Sequence, residues 1–135
     1  MVRFAPLPNT IVDEISAGRL YKDGNLVGPL EALGVGERRK LSIAGHVVVS
    51  IILDPKGEIL DDPDIELVGL PREDENGRPL VEAVLGAALE TLNSLSRARR
   101  RDADSVGESV RRSVRAAVRD AWGKKPICTV FVAVV

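Results

Sequence analysis

The chain has 135 residues, enough for one domain with a real core, and its 44% hydrophobic and 29% charged fractions are ordinary for a soluble globular protein. Its formal net charge of −1 gives the molecule as a whole no excess of positive charge that would attract nucleic acid or an anionic membrane. The single cysteine excludes an internal disulfide, no apolar run approaches the ~20 residues of a membrane helix, and no secretory signal is recognisable, so we predict a cytoplasmic protein without a membrane partner.

Glycine and proline interrupt the first forty residues, and only short strand-like pieces such as "TIVDEI" and "GRLY" lie between them. We therefore predict that residues 1–40 form an irregular connector arm with one or two short strands. Gly34 and Gly36 in "LGVGERRK" faintly resemble a phosphate-binding loop. No "GK[ST]" follows, and we predict no strong helix at that point.

The stretch "HVVVSIIL" (46–53) is rich in β-branched residues and predicts a strand. The following "DPKG" predicts a hairpin turn, because Asp54 can bond the backbone two residues on and Gly57 can adopt a positive φ. "EILDDPDIELVGL" then predicts a returning strand that is interrupted at Pro63, since proline cannot donate a hydrogen bond to the sheet.

Two helices follow the polar loop "REDENGRP". The first is predicted to begin near Pro79 and to end in the basic run Arg97–Arg101. Its apolar face consists of Leu80, Val84, Leu85, Ala88, Leu92 and Leu95. The second is predicted to begin with Asp104 or Ser105 as its N-cap and to end at Gly123. Its apolar face consists of Val106, Val110, Val114, Ala117, Val118 and Ala121, followed by Trp122.

"PICTVFVAVV" predicts a closing strand that is apolar on both alternating faces. The predicted fold class is α+β: a small sheet of three or slightly more strands with a two-helix hairpin packed on one face, in the order β-β-α-α-β. Residues 41–135 form this domain, and the arm of residues 1–40 precedes it.

The only histidine, His46, lies near many carboxylates in sequence, which raises the question of a metal or catalytic site. A metal site built on imidazole needs further ligands, and the chain has one histidine and one cysteine. Asp61, Asp62 and Asp64 lack the spacing of a calcium loop, because Pro63 occupies the middle. We predict no catalytic and no metal-binding residue in this chain. A small metal-dependent hydrolase that uses these aspartates is kept as the last of three hypotheses.

Charge is distributed unevenly along the chain. Residues 53–90 contain 11 acidic and 3 basic residues, a net of −8, whereas residues 97–125 contain 10 basic and 4 acidic residues, a net of +6. The arginines of the basic half are candidates for contact with RNA phosphate or with a protein partner, and a solvated helix face is the alternative. They are Arg97, Arg99, Arg100, Arg101, Arg111, Arg112, Arg115 and Arg119. Aromatic residues make up only 3% of the chain, which disfavours recognition by base stacking.

The stretch "RKLSIAGHVVVSIILDPKGEILDDPDIELVGL" resembles the C-terminal part of ribonuclease J, a bacterial nuclease of the metallo-β-lactamase and β-CASP type. "GRLYKDGNLVG" resembles the link that leads out of the catalytic domain in that family. The Ser-Arg pair that relatives often carry before the late glycine is replaced here by Leu67 and Val68. The positions that match the family in order are Arg39, Ser42, Val47–Val49, Gly57, Ile59, Pro63, Ile65 and Gly69.

The resemblance implies that the metal-binding motifs of the family, which generally hold two zinc ions, belong to a catalytic domain that this chain lacks. No cofactor is therefore expected in this chain. The resemblance also implies a role in holding subunits together and in the competence of the parent enzyme for RNA processing. The first hypothesis is thus a non-catalytic domain of a ribonuclease J-like hydrolase. The second is a stand-alone RNA- or protein-binding adaptor with the same fold, and the third is the small hydrolase.

The closing strand also predicts self-association as a dimer, because the helical hairpin can cover only one face of the sheet. The candidate residues are Ile127, Thr129, Phe131, Val132 and Val134. In the competing interpretation, the arm of residues 1–40, or the catalytic domain of the parent chain, covers the second face.

Overall fold

The computed structural model describes residues 2–4, 13–15 and 19–135, with side-chain environments from Arg19 onward. The rest of the predicted arm lies outside the described residues. Contacts divide the chain into two units, Met1–Lys40 and Leu41–Val135. In the described segments, no helix combines the length and the apolar character needed to span a membrane.

The first unit contains a four-stranded antiparallel sheet in the order β1-β2-β3-β4. Its strands are β1 (Val2–Phe4), β2 (Asp13–Ile15), β3 (Leu20–Asp23) and β4 (Leu26–Gly28). A single 3₁₀ turn at Leu30–Leu33 follows. The sequence predicted one or two strands here, and the larger number is a correction. Strands of three or four residues are too short to give a visible alternation of apolar and polar side chains.

Helix α1 (Val35–Ala44) begins directly after Gly34, where we predicted no strong helix. The prediction was wrong because it relied on apolar periodicity. Only Val35 is buried in this helix, and four consecutive charged residues occupy positions 37–40. Such a helix has no apolar stripe from which it could be recognised.

The second unit is built on a three-stranded sheet in the order β6-β5-β7. Strand β5 (His46–Leu53) is central; it pairs antiparallel with β6 (Asp64–Val68) and parallel with β7 (Ile127–Val134). Three helices connect β6 to β7: α2 (Leu80–Ser94), the single-turn α3 (Arg97–Arg100) and α4 (Ala103–Trp122). The α+β class and the order of the predicted elements are confirmed.

The core lies between one face of the sheet and the helices α2 and α4. Alternate residues of β5 are buried, and α2 and α4 each contribute a row of buried residues at helical spacing. The fully buried members are Val47, Val49, Ile51, Leu53, Val84, Ala88, Leu92, Val106, Val110, Val114 and Val118. The predicted apolar faces of both long helices are therefore the ones that pack.

The turn after β5 has the predicted geometry. Asp54 Oδ1 accepts hydrogen bonds from the backbone N–H groups of Lys56 at 2.8 Å and Glu58 at 2.9 Å. Gly57 has φ 86°, which a residue with a side chain rarely adopts. The returning chain makes one bridge, from Leu53 to Ile59, and resumes regular pairing only at β6, directly after Pro63.

The helix boundaries required two corrections. The run Arg97–Arg101 does not extend the first long helix, because Leu95 is extended with φ −74° and ψ 138°, and Ser96 Oγ caps α3 by accepting from Arg99 N. The N-cap of α4 is Asp102 rather than Asp104 or Ser105. Its carboxylate accepts from the N–H groups of those two residues. Gly123 ends α4 with φ 88°, as predicted.

Candidate functional site

His46 is engaged in a contact between strands. Its Nε2 atom lies 2.8 Å from Thr129 Oγ1, on the face of the sheet opposite the helices. Across the described ranges, no group of three or more histidine, cysteine, aspartate and glutamate side chains could hold a metal ion. The histidine therefore has a structural partner and no neighbouring ligand set.

The acidic residues that suggested a site also have local roles. Asp54 bonds its own turn, and Asp61 Oδ1 accepts from Asp62 N at 2.8 Å. Asp64 and Glu66 are exposed on β6, opposite Ser50 and Val48 of β5. These arrangements are those of turns and a solvated strand.

The basic run of α3 packs against the turn that follows β5. A Cβ atom on Gly57 would come within 3.0 Å of Arg100 Cβ and 3.1 Å of the Arg97 carbonyl oxygen, so turn and helix are in close contact. Arg97 pairs with Glu58 across this contact at 2.8 Å, with both side chains largely exposed. The acidic segment 53–90 and the basic segment 97–125 thus make one ion pair with each other within the chain. Exposed pairs of this kind contribute at most about 1 kcal/mol.

The arginines of α4 are partly engaged by a residue that the sequence reasoning missed. Glu108 receives two hydrogen bonds from Arg111, at 2.9 and 3.1 Å, and one from Arg112 at 3.2 Å. These hydrogen bonds, from Arg111 first and then Arg112, lower the pKa of Glu108 to about 2. The spacing "ESVRR", with arginines three and four residues after the glutamate, could have indicated the cluster.

The remaining arginines of α4 differ in their contacts. Arg115 Nε donates to the Pro126 carbonyl oxygen at 3.1 Å, which ties α4 to the start of β7. Arg119 is exposed. The predicted arginine face is thus a ridge of two kinds of residue. Arg111 and Arg115 are held by hydrogen bonds, whereas Arg112 and Arg119 point to solvent. The side chain of Arg112 is 76% exposed despite its contact with Glu108.

Strand β7 is an edge strand: among the described residues, none pairs with its other side. Its odd-numbered residues direct their backbone groups to β5, because Ile127 N donates to Gly45 O and Val135 N donates to Leu53 O. In a strand the direction alternates, so Cys128, Val130, Val132 and Val134 direct theirs to the free edge. No charged residue or proline interrupts Ile127–Val134, although natural edge strands usually carry such protection.

The face of the sheet opposite the helices, called here the outer face, is apolar near β7. Phe131 on β7 is 59% exposed and Ile52 on the neighbouring β5 is 42% exposed, whereas Val68, 52% exposed, lies on the far edge strand β6. Of the predicted self-association residues, Ile127, Thr129 and Phe131 lie on this face, whereas Val132 packs against the core and Val134 extends beyond it with 49% exposure. Within the described part of the second unit, an edge and part of a face of β7 are thus left without a partner.

An open groove of about 290 Å³ runs between the free edge of β7 and the first half of α4. Gly107 and Glu108 line it from the helix, together with Arg111, and Val130 and Val132 line it from the strand. A Cβ atom on Gly107 would lie 3.8 Å from Val132 Cγ2, so helix and strand approach closely here. Apolar and charged walls therefore flank the unpaired edge.

Comparison with known proteins identifies the family to which this domain belongs. Residues 33–135 match the family described as the ribonuclease J C-terminal domain. The chain belongs to this family. The resemblance seen in the sequence is confirmed, and the match begins within the 3₁₀ turn that precedes α1.

Two curated ribonucleases J are similar to the chain. That of Sinorhizobium meliloti is 47% identical over 132 residues, which cover 98% of this chain and 23% of the relative. That of Corynebacterium glutamicum is 24% identical over 118 residues, covering 87% of this chain and 16% of the relative. The chain thus spans less than a quarter of the length of these ribonucleases J. It corresponds to a C-terminal domain of a larger ribonuclease, as the first hypothesis stated.

Proposed function

We propose that this chain is the non-catalytic C-terminal domain of a ribonuclease J-like, metal-dependent hydrolase, and that it supports subunit association and the competence of the parent enzyme on RNA. The β-CASP catalytic domain, its zinc ions and a cytoplasmic location belong to the same proposal. The observation that carries the association is strand β7, which combines an unpaired edge with an exposed apolar face.

The chemistry is assigned elsewhere in the parent because the described residues do not fit it. Two-metal hydrolysis needs clustered ligands for ions that activate water and clamp the phosphate. No such cluster occurs in the segments that the structure describes, and His46 is bonded to Thr129. The contribution of this domain to cleavage is therefore indirect, through the placement of subunits or of RNA.

The test compares the full-length parent with a version that lacks residues 33–135 of this chain. We expect the shortened enzyme to contain fewer subunits, counted as the sedimented mass divided by the mass of its own shortened chain, and to have a lower rate of RNA cleavage. The metal bound per subunit should be unchanged, and the shortened enzyme should still unfold in a cooperative transition; both serve as the control for an intact catalytic domain. A shortened enzyme with the subunit number and the cleavage rate of the parent would overturn the proposal.

The second candidate function is a stand-alone adaptor that binds RNA or protein. It is favoured by exposed arginines that make no ion pair within the described part of the chain, namely Arg99, Arg101 and Arg119. If the chain is an adaptor, the isolated chain should bind RNA as tightly as it does when joined to the parent. The parent should then cleave RNA equally well without this domain. The domain of a nuclease should instead affect cleavage when it is removed.

A further inference from the structure

We propose that the free edge of β7 pairs antiparallel with β7 of a second copy of this chain, with Phe131 on the two-fold axis, so that two sheets join into one of six strands. This inference rests on the association in the proposed function and names its partner, strand edge and register. It follows from three features of the described residues.

The first feature is the symmetry of the unpaired backbone groups. The residues whose N–H and C=O groups point to the free edge are Cys128, Val130, Val132 and Val134, and Phe131 is the centre of this set. Antiparallel pairing about Phe131 places Val130 opposite Val132 of the partner, and Cys128 opposite Val134. Each such pair exchanges two N–H···O bonds. This register therefore uses every outward-facing group of the strand.

The second feature is the outer face. Phe131 would lie opposite its own symmetry mate in a non-hydrogen-bonded pair, where side chains approach most closely. Thr129 would lie opposite Ala133 of the partner, on the same face. The contact brings together the one aromatic ring of the strand, 59% exposed, and its mate. The apolar part of each outer face, which lies near β7, then adjoins that of the partner in one sheet.

The third feature is charge along the groove. Gly107 lies beside Val132, and Arg111 follows one helical turn later on the same groove wall. A two-fold axis at Phe131 reverses the direction of α4 in the second copy. The position of Arg111 along one strand then matches the position of Gly107 and Glu108 along the other, so Arg111 of one copy faces Glu108 and Gly107 of the other. The partner's guanidinium then approaches a carboxylate that Arg111 and Arg112 of the same copy already bond, and the two-fold axis repeats this arrangement on both sides of the interface.

Sedimentation of the 135-residue chain gives the first readout. We expect about twice the monomer mass of 14.5 kDa at micromolar concentration. Val132→Pro removes an N–H that faces the free edge and should give a monomer. Val132→Ala removes the same side chain but keeps the N–H, and it should stay dimeric. Circular dichroism of both variants verifies folding, and equal masses for the two folded variants would contradict edge pairing.

Disulfide trapping gives the register, in a Cys128→Ala background. Phe131→Cys should crosslink to itself, because Cα atoms of such a pair are about 4.5 Å apart. Ala133→Cys alone should not, since its own mate would lie about 14 Å away along the strand. A mixture of Thr129→Cys with Ala133→Cys, which keeps Phe131, should crosslink between the two.

The outcomes separate this inference from the proposed function. A monomeric wild type, or a dimer in which none of these pairs crosslinks, would overturn the pairing of β7 with itself. In either case, a parent enzyme that loses subunits and cleavage rate without the domain would leave the proposed function standing, with a different surface or a strand of another domain as the contact.

Discussion

His46 and Thr129 are joined across the two parallel strands of the sheet, with Nε2 and Oγ1 at 2.8 Å. The chain's only histidine is thereby part of the outer face. Ile127 lies directly opposite it, and Thr129 is two residues further along β7. We predict that the isolated chain does not cleave RNA, with or without added zinc or manganese. Cleavage that a chelator abolishes and that His46→Ala removes, in a preparation free of other nucleases, would contradict this.

Leu92 and Val114 are predicted to join the helices to the sheet, and both are fully buried in the core. Leu92→Ala should lower the free energy of unfolding by about 2–5 kcal/mol, because it leaves a cavity as well as removing apolar surface from the core. Val81→Ala in the same helix is the control, since Val81 is 41% exposed. Chemical denaturation checks both, and a loss under about 0.5 kcal/mol at Leu92 would be inconsistent with the packing.

The cap of α4 offers a comparison between neighbouring aspartates. Asp102→Ala should destabilise the chain by about 0.5–2 kcal/mol, because the first N–H groups of the helix lose their acceptor. Asp104→Ala should lower the free energy of unfolding by only a few tenths of a kcal/mol, since that carboxylate interacts mainly with the helix dipole. Thermal or urea unfolding of both variants measures the difference, and equal losses would point away from Asp102 as the cap.

Burial raises the pKa of the Cys128 thiol to about 11. The thiolate is the reactive form, so we expect slow reaction with a disulfide reagent at pH 8 and fast reaction once the chain is unfolded in urea. Because the folded pKa is raised, the associated stability is present below the unfolded pKa near 9 and is lost as pH rises towards 11. Labelling of the folded chain at the unfolded rate would refute the prediction.

Contact with RNA phosphate is tested through the arginine ridge of α4. Alanine at Arg111, Arg112, Arg115 and Arg119 together should weaken RNA binding and flatten its salt dependence. The log–log slope should fall by about 0.7–0.9 for each phosphate that an arginine no longer neutralises. Alanine at Arg112 and Arg119 alone separates the solvent-facing pair from the held pair. Arg72→Ala with Arg78→Ala, which removes two positive charges elsewhere, is the control. An unchanged slope assigns the ridge to solvent or to a protein partner.

Much of the second unit could be predicted because its signals are local or periodic. The turn at Asp54–Gly57, the interruption at Pro63 and the valine row of α4 each depend on residues within a few positions of one another. The break at Leu95 could not be predicted in this way. Leu95 continues the apolar period of α2, and only the capping of α3 by Ser96 reveals that the helix has ended.

The candidate surfaces were only partly visible in the sequence. A helical wheel placed the arginines of α4 on one face, but Arg115 bonds the Pro126 carbonyl oxygen and Arg111 shares Glu108 with Arg112. The apolar character of β7 was readable, whereas its position at the edge of the sheet was not. Strand order depends on tertiary packing between distant segments, and periodicity carries no information about it.

The parallel pairing of β5 with β7 has a consequence for how the chain folds. A nascent chain that has reached the end of α2 holds β5 and β6 but not the strand that completes the sheet, which follows only after α4. Contacts between such distant segments require the closure of a long loop before they stabilise anything, and they slow folding. Until then β5 displays a row of unpaired valine and isoleucine residues, so the domain is most exposed to aggregation during synthesis, before its last strand arrives.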